Sequence, residues 1–258
     1  MQNLKLFSGI ILSTVFLFGC PGITTAITDK DNASSISIST PSGSGKDMYY
    51  EYTSATVGRD MSIKTVIKMY VSSSGSMRVE MHMENSAMKG KSPGTMVIIG
   101  HSDKPNESIS IDDEAKTYTI NHFSDNDFNT GEKIKSTATK IGEEKILGFN
   151  SVHARIISNK SIGSLYSDVD TVDLWRSNNV PLQPSVKELI DKFNSKGMAM
   201  YSADVANQLK QMGCEGFMTK MEIHTKGSST TEILVKAESR DLPASLFQIP
   251  AGYTEVKN

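Results

Sequence analysis

The chain has 258 residues, with 27 Lys+Arg against 29 Asp+Glu and a formal net charge of −2. That length suits one large domain or two small ones, and a single all-β domain of this size is ordinary. A balance this close to neutral excludes a protein built to neutralise nucleic acid phosphates, and two cysteines exclude a disulfide framework or an all-Cys zinc site.

The first segment sets the compartment. Lys5 is the only charge before Asp29, and Leu6 to Gly19 is an uncharged, mostly apolar run of 14 residues. A spanning helix needs about 20, so residues 1–19 read as a secretory signal peptide. Leu17-Phe18-Gly19-Cys20 resembles the lipobox of bacterial lipoproteins, with Phe18 bulkier than the usual residue there. The resemblance implies cleavage before Cys20 and acylation of its thiol. One acyl chain binds a bilayer marginally, whereas two or three hold firmly. Pro21 follows in place of an acidic retention residue, which implies an outer membrane lipoprotein facing the periplasm or the surface. The alternative is a plain signal cut after Ala26, leaving a soluble periplasmic protein. Residues 20–46, rich in Ser, Thr, Gly and Pro and without an aromatic, form a flexible tether. Gly43-Ser44-Gly45-Lys46 lacks both the leading Gly and the preceding strand of a phosphate loop.

From residue 47 to 258 the pattern is that of one folded domain. Met48-Tyr49-Tyr50-Glu51-Tyr52 opens a strand, and residues 63–71 alternate around Ile63, Ile67, Met69 and Val71. Ser72 to Ser76 is a hairpin loop. In the next strand Met77, Val79, Met81 and Met83 face one way and Arg78, Glu80, His82 and Glu84 the other, as in an antiparallel sheet with one dry face. Thr95 to Ile99 is apolar on both faces, hence a central strand. Residues 112–116 turn between strands at Ile109/Ile111 and Tyr118/Ile120, and 121–135 read as a loop or short helix. Strands at 136–146 and 151–157 flank the hairpin signal Leu147-Gly148-Phe149-Asn150, and 172–175 is a short strand.

The period then changes. Val186, Leu189, Ile190 and Phe193 follow a capping box of Ser185 and Glu188, predicting an amphipathic helix closed by Gly197. A second helix carries Val205, Leu209 and Met212 and ends at Gly213. Strand alternation resumes at Phe217, Thr219, Met221 and Ile223, turns at 226–229 and returns over 231–238. The expectation is a mainly β (α+β) fold: a curved antiparallel sheet or incomplete β-barrel covered by helices.

Six stretches stand out: Tyr49-Tyr50-Glu51-Tyr52, Lys68-Met69-Tyr70-Val71 with Met77-Arg78, Ala115-Lys116-Thr117-Tyr118, Ile146-Leu147-Gly148-Phe149, Asp173-Leu174-Trp175 and Leu242 to Tyr253, together spanning about 48–254. They resemble an uncharacterised family of bacterial exported proteins, a domain of unknown function with a LolA/LolB-like, lipoprotein-carrier-like fold. The resemblance implies an incomplete barrel wrapped on helices with an apolar interior, which in the carriers shields acyl chains.

No catalytic motif is present. His82, His101, His122, His153 and His224 form no HxxxH or HExxH pair, no GxSxG elbow occurs, and the turn Asp112-Asp113-Glu114 lacks calcium-loop spacing. Asp168, Asp170 and Asp173 read as strand edge, Trp175 as a packing anchor, and Cys214 as a small buried hydrophobe. The 14 methionines are the unusual feature. Met is flexible and polarisable, so a Met-lined surface adapts to ligands of variable shape, although Met also fills cores. The candidate groove is Ile67, Met69, Met77, Val79, Met81, Met83, Phe217 and Met221. Two readings stand. One is a non-enzymatic envelope lipoprotein, monomeric and without cofactor or metal, that binds a lipid, acyl chain or hydrophobic segment. The other is a tethered structural or interaction protein with a filled core.

Overall fold

Alternation at period two dominates the chain, and in the computed structural model it becomes a single twelve-stranded curved open sheet. The structure describes residues 46–58, 62–85, 95–122, 134–162, 166–182, 186–187, 190 and 203–257. The strands are β1 (Met48–Gly58), β2 (Ser62–Val71), β3 (Ser76–Asn85), β4 (Thr95–His101), β5 (Glu107–Asp112), β6 (Thr117–His122), β7 (Ile134–Ile146), β8 (Phe149–Ile162), β9 (Tyr166–Ser177), β10 (Phe217–Thr225), β11 (Ser228–Ser239) and β12 (Thr254–Glu255). Their order is β12-β6-β5-β4-β3-β2-β1-β11-β10-β9-β8-β7. Two sequential meanders, β1–β6 and β7–β11, are thus fused where β1 pairs with β11. Every pairing is antiparallel except that of β12 with β6.

Local chemistry fixes the turns. The β7–β8 hairpin pairs Ile146 with Phe149 across only Leu147 and Gly148, at φ 49° and 77°. Two positive φ values make this the primed turn whose twist matches the strands. Leu147 adopts a conformation that non-glycine residues rarely take, because the hairpin register on either side demands it.

Among the described residues the helical cover is smaller than the sequence suggests. Among the described residues one helix is complete, α1 (Ala203–Gln211), with Val186, Lys187 and Ile190 also helical. Ser185, Glu188, Leu189, Phe193 and Gly197 of the first predicted helix lie outside the described residues. "Covered by helices" therefore overstates the architecture, since α1 lies against β7 at one end of the sheet. Its end is as predicted. Gly213, at φ 72°, donates to Lys210 O at 3.0 Å and Cys214 N–H to Leu209 O at 2.9 Å, the paired closing bonds of a Schellman cap.

A second cover was not foreseen. The segment after β11 crosses the outer face of the sheet. Asp47 at the start of β1 accepts from Leu242 N–H at 3.1 Å and from Ser73 N–H at 2.7 Å. Arg78 Nη1 donates to Leu246 O at 3.2 Å, and Phe247, in a 3-10 turn over Ala244–Phe247, is buried. Tyr253 then packs on Val97, Ile99 and Ile111, and β12 adds to the edge of β6. This strap explains why β4 is apolar on both faces: Ile98 points to the inner core and Val97 and Ile99 lie beneath the strap. The sequence segment 172–175 belongs to a strand of 12 residues, β9, which lies between β8 and β10 rather than at an edge.

Candidate functional site

In an antiparallel sheet, residues directly opposite each other share a face. Two rows of apolar side chains cross the inner face. One runs Tyr50–Met69–Val79–Ile98 and the next Tyr52–Ile67–Met81–Met96. Met48, Val71 and Met77 extend the patch along the strands. Across the β1–β11 seam, Phe217 of β10 brings its ring to 4.6 Å from that of Tyr50, although β11 lies between their strands. Tyr52 donates to Met218 O at 2.7 Å, and Tyr50 donates to Pro181 O. Burial pushes both tyrosine hydroxyls well above their ordinary range, so they remain neutral donors.

All eight predicted groove residues lie in these strands. Ile67, Met77, Met81 and Phe217 are buried in one apolar cluster, against which Met69 and Val79 pack half-buried. Met221 is buried in a different cluster, with Ala154, Ile156, Leu174, Val205 and Leu209. Met83 is half-buried and in neither. The predicted set is therefore not one patch but two, joined by a third row. That row runs Met83–Thr65–Ser54–Glu232–Met221–Leu174–Ala154. Met218 packs against both clusters. Cys20, the tether and the signal segment lie outside the described residues, apart from Lys46.

The middle of the third row holds the residue that the sequence reading passed over. Glu232 is 3% exposed, on the apolar face, between Ser54 and Met221. Its Oε2 has no hydrogen-bond partner among the described residues. Burial alone pushes its carboxyl up to about 8, so it is mostly protonated at neutral pH. The signal was available: in Thr231-Glu232-Ile233-Leu234 the charge shares a strand face with Leu234.

The outer face of β8–β10 carries a polar cluster. His153 stacks on Trp175 with ring centroids 3.9 Å apart, and Lys220 Nζ sits 4.2 Å from the centroid of Trp175. Asp173, buried, accepts from Arg155 Nε at 2.8 Å and Nη2 at 3.0 Å, while His153 Nε2 lies 2.8 Å from its Oδ1. Desolvation raises the Asp173 carboxyl, but the bonds from Arg155 and His153 outweigh it and hold it below the usual range. Glu222 and His224 complete a group whose ligand atoms lie within 4.8 Å of one another and of Asp173. Lys220 pairs with Glu222 at 2.7 Å, so Arg155 and Lys220 already balance both carboxylates. His82 and His224 are exposed, as their alternation predicts, and Asp173 serves an ion pair on an interior strand. Trp175 is 5% exposed, and Cys214 is buried with its thiol pushed up by burial. No helix of the described residues is long and apolar enough to cross a membrane.

These features define a mainly β domain: an open sheet with an apolar inner face, a short helix at one end and a C-terminal strap on the outside. The chain belongs to the DUF4412 family, a domain of unknown function, whose model matches residues 57–253. That stretch is nearly the one picked out by the sequence resemblance. No curated protein matches the chain. Solved structures similar to it include a LolA superfamily protein from Nitrosomonas europaea, at 10% identity and a TM-score of 0.30, covering 79% of this chain and 90% of that one. Others are a DUF1329 family protein from Desulfovibrio piger, at 11% and 0.31 over 79% and 90%, and LprF from Mycobacterium bovis, at 8% and 0.31 over 81% and 90%. These overlaps are long but loose.

Proposed function

We propose that this chain is a cell-envelope lipoprotein that binds an apolar ligand on the inner face of β1–β4 and performs no covalent chemistry. In this reading residues 1–19 are removed, Cys20 is acylated, residues 20–46 tether the domain and residues 47–258 hold the ligand at the outer membrane. The carrying observation is the state of the methionine rows. Met69, Val79, Met83 and Met96 are only half-buried on the same face as the buried Ile67, Met77 and Met81. An apolar face left partly open, and lined with the most adaptable apolar side chain, favours a ligand of variable shape.

The test is solvent extraction of the mature protein purified from its own membranes, followed by mass spectrometry. Acyl lipid recovered in near-stoichiometric amount beyond the covalent anchor supports the reading. A lipid-free interior in a protein that still binds an envelope partner favours the structural alternative with a filled core. Replacing Cys20 by Ser tests the anchor separately: the chain then leaves the membrane fraction and its N-terminal mass loses the acyl groups.

A further inference from the structure

A sheet face that alternates correctly and then places a carboxyl among methionine and leucine breaks its own rule at one position. On β11, Thr231 and Ile233 face outward while Leu234 and Glu232 face the inner core. Glu232 stands where the third row passes from the Met-rich half of the sheet to the helix-covered half. A buried carboxyl without a partner is costly, and native proteins satisfy nearly all such groups. Among the described residues nothing hydrogen-bonds its Oε2, although the Arg176 charge acts on the neighbouring Tyr52. Ser54, directly opposite, makes no hydrogen bond to Oε2, and the Tyr52 hydroxyl is turned to Met218 O. Thr56 and Thr230, one row along, bond to each other at 2.9 Å. Glu232 thus brings a hydroxyl donor to the head of an oily face, and its Oε2 meets no hydrogen-bonding group among the described residues.

We propose that Glu232 is the polar anchor of the apolar-ligand site, donating its carboxyl proton in a hydrogen bond to the uncharged ester or amide carbonyl at the head of an acyl chain. This rests on the ligand-binding reading above and sharpens it to a ligand class. The donor is the neutral acid, consistent with the raised carboxyl. The acceptor is a neutral carbonyl, because a ligand carboxylate would give up its hydration in the apolar seam for a single hydrogen bond from a neutral acid. The tail then extends along the rows of Met81 and Met83, while the alkoxy or amine side of the carbonyl lies toward the hydroxyls of Ser54 and Thr65. No bond is made or broken.

The experiment uses the full mature chain and three fluorescent probes: pyrene-dodecanoate methyl ester, free pyrene-dodecanoic acid and dodecylpyrene, which has no carbonyl. The wild type binds the ester more tightly than either of the others. Glu232→Leu lowers affinity for the ester about tenfold, the loss of one hydrogen bond, and leaves dodecylpyrene unchanged. Glu232→Gln, whose amide still donates, keeps ester affinity within about threefold. Equal ester affinity in the wild type and Glu232→Leu overturns the role of Glu232 while the groove stands. Binding of none of the three probes by the wild type overturns the groove and Glu232 with it. Leu suits a position between Met221 and the Leu234 face in volume and polarity, and thermal unfolding of both variants separates loss of binding from loss of fold.

Discussion

The two halves of the sheet solve the same burial problem with different materials. Over β7–β10 the inner face is built from Ala138, Ala154, Ile156, Val172, Leu174, Ile223 and the single buried methionine Met221, closed by Val205 and Leu209 of α1 and by Cys214. Small and branched side chains there meet a rigid helix that also reaches the sheet edge, since Gln208 Oε1 accepts from Ala138 N–H at 2.7 Å. Over β1–β4 tyrosine and methionine alternate with Ile67, Val71, Val79 and Ile98, and Val180, Leu182, Val186 and Ile190 pack on the face together with Leu147 and Phe149 of the β7–β8 hairpin. Branched aliphatics specify one packing, whereas methionine accepts many. The contrast shows where a rigid core ends and an adaptable surface begins, with Glu232 between them.

The largest expected effect tests that contrast by mutation. Leu209→Ala opens a cavity under α1 and lowers unfolding free energy by about 2–5 kcal/mol in chemical denaturation. Met81→Ala, the same truncation in the Met-rich half, costs at or below the low end of that range, because flexible neighbours collapse into the space. Equal costs at the two sites would erase the distinction between a specified and a permissive core.

The seam is tested by pH. The folded Glu232 carboxyl is raised to about 8 from its ordinary 4.5, so between these values the native state holds a proton that the unfolded chain releases. Stability therefore falls as pH rises through that window, by up to about 1.4 kcal/mol per pH unit, and levels off above it. Glu232→Gln removes this slope. A wild type and variant with parallel stability curves from pH 5 to 8 would mean that Glu232 is hydrated and ionised.

The smallest effect concerns the edge. Gln208→Ala leaves the Ala138 amide without its acceptor, which costs about 1–2 kcal/mol and speeds hydrogen exchange at that amide. Unchanged exchange would mean that packing alone, not the side-chain bond, holds α1 on β7. Edge strands need such protection against pairing with other chains. β7 has this bond and the irregular register at Lys140/Gly142, and β6 has the two residues of β12.

Much of the fold was legible because its signals are local. The faces of β2, β3 and β10 follow from alternation, the β7–β8 turn from Leu147-Gly148, and the end of α1 from Gly213. The methionine face was legible for the same reason, as Met77, Val79, Met81 and Met83 are spaced by two. What alternation does not encode is which strands become neighbours. Met221 carries the same period-two signal as Met81, yet the order of strands places it across the seam in another cluster. Asp173 reads as a strand-edge acid until β8 brings Arg155 and His153 beside it.

The sequence by itself determined most of the strands, the dry faces of β2, β3 and β10 and the position of the helix after residue 200, because hydrophobic period and turn residues act over a few bonds. The tertiary structure alone decided that β1 pairs with β11 to fuse two meanders, that the C-terminal strap covers β4, and that Glu232 is shut away from water. Those depend on contacts between residues more than a hundred positions apart, where only the closing of the whole sheet sets the environment of each side chain.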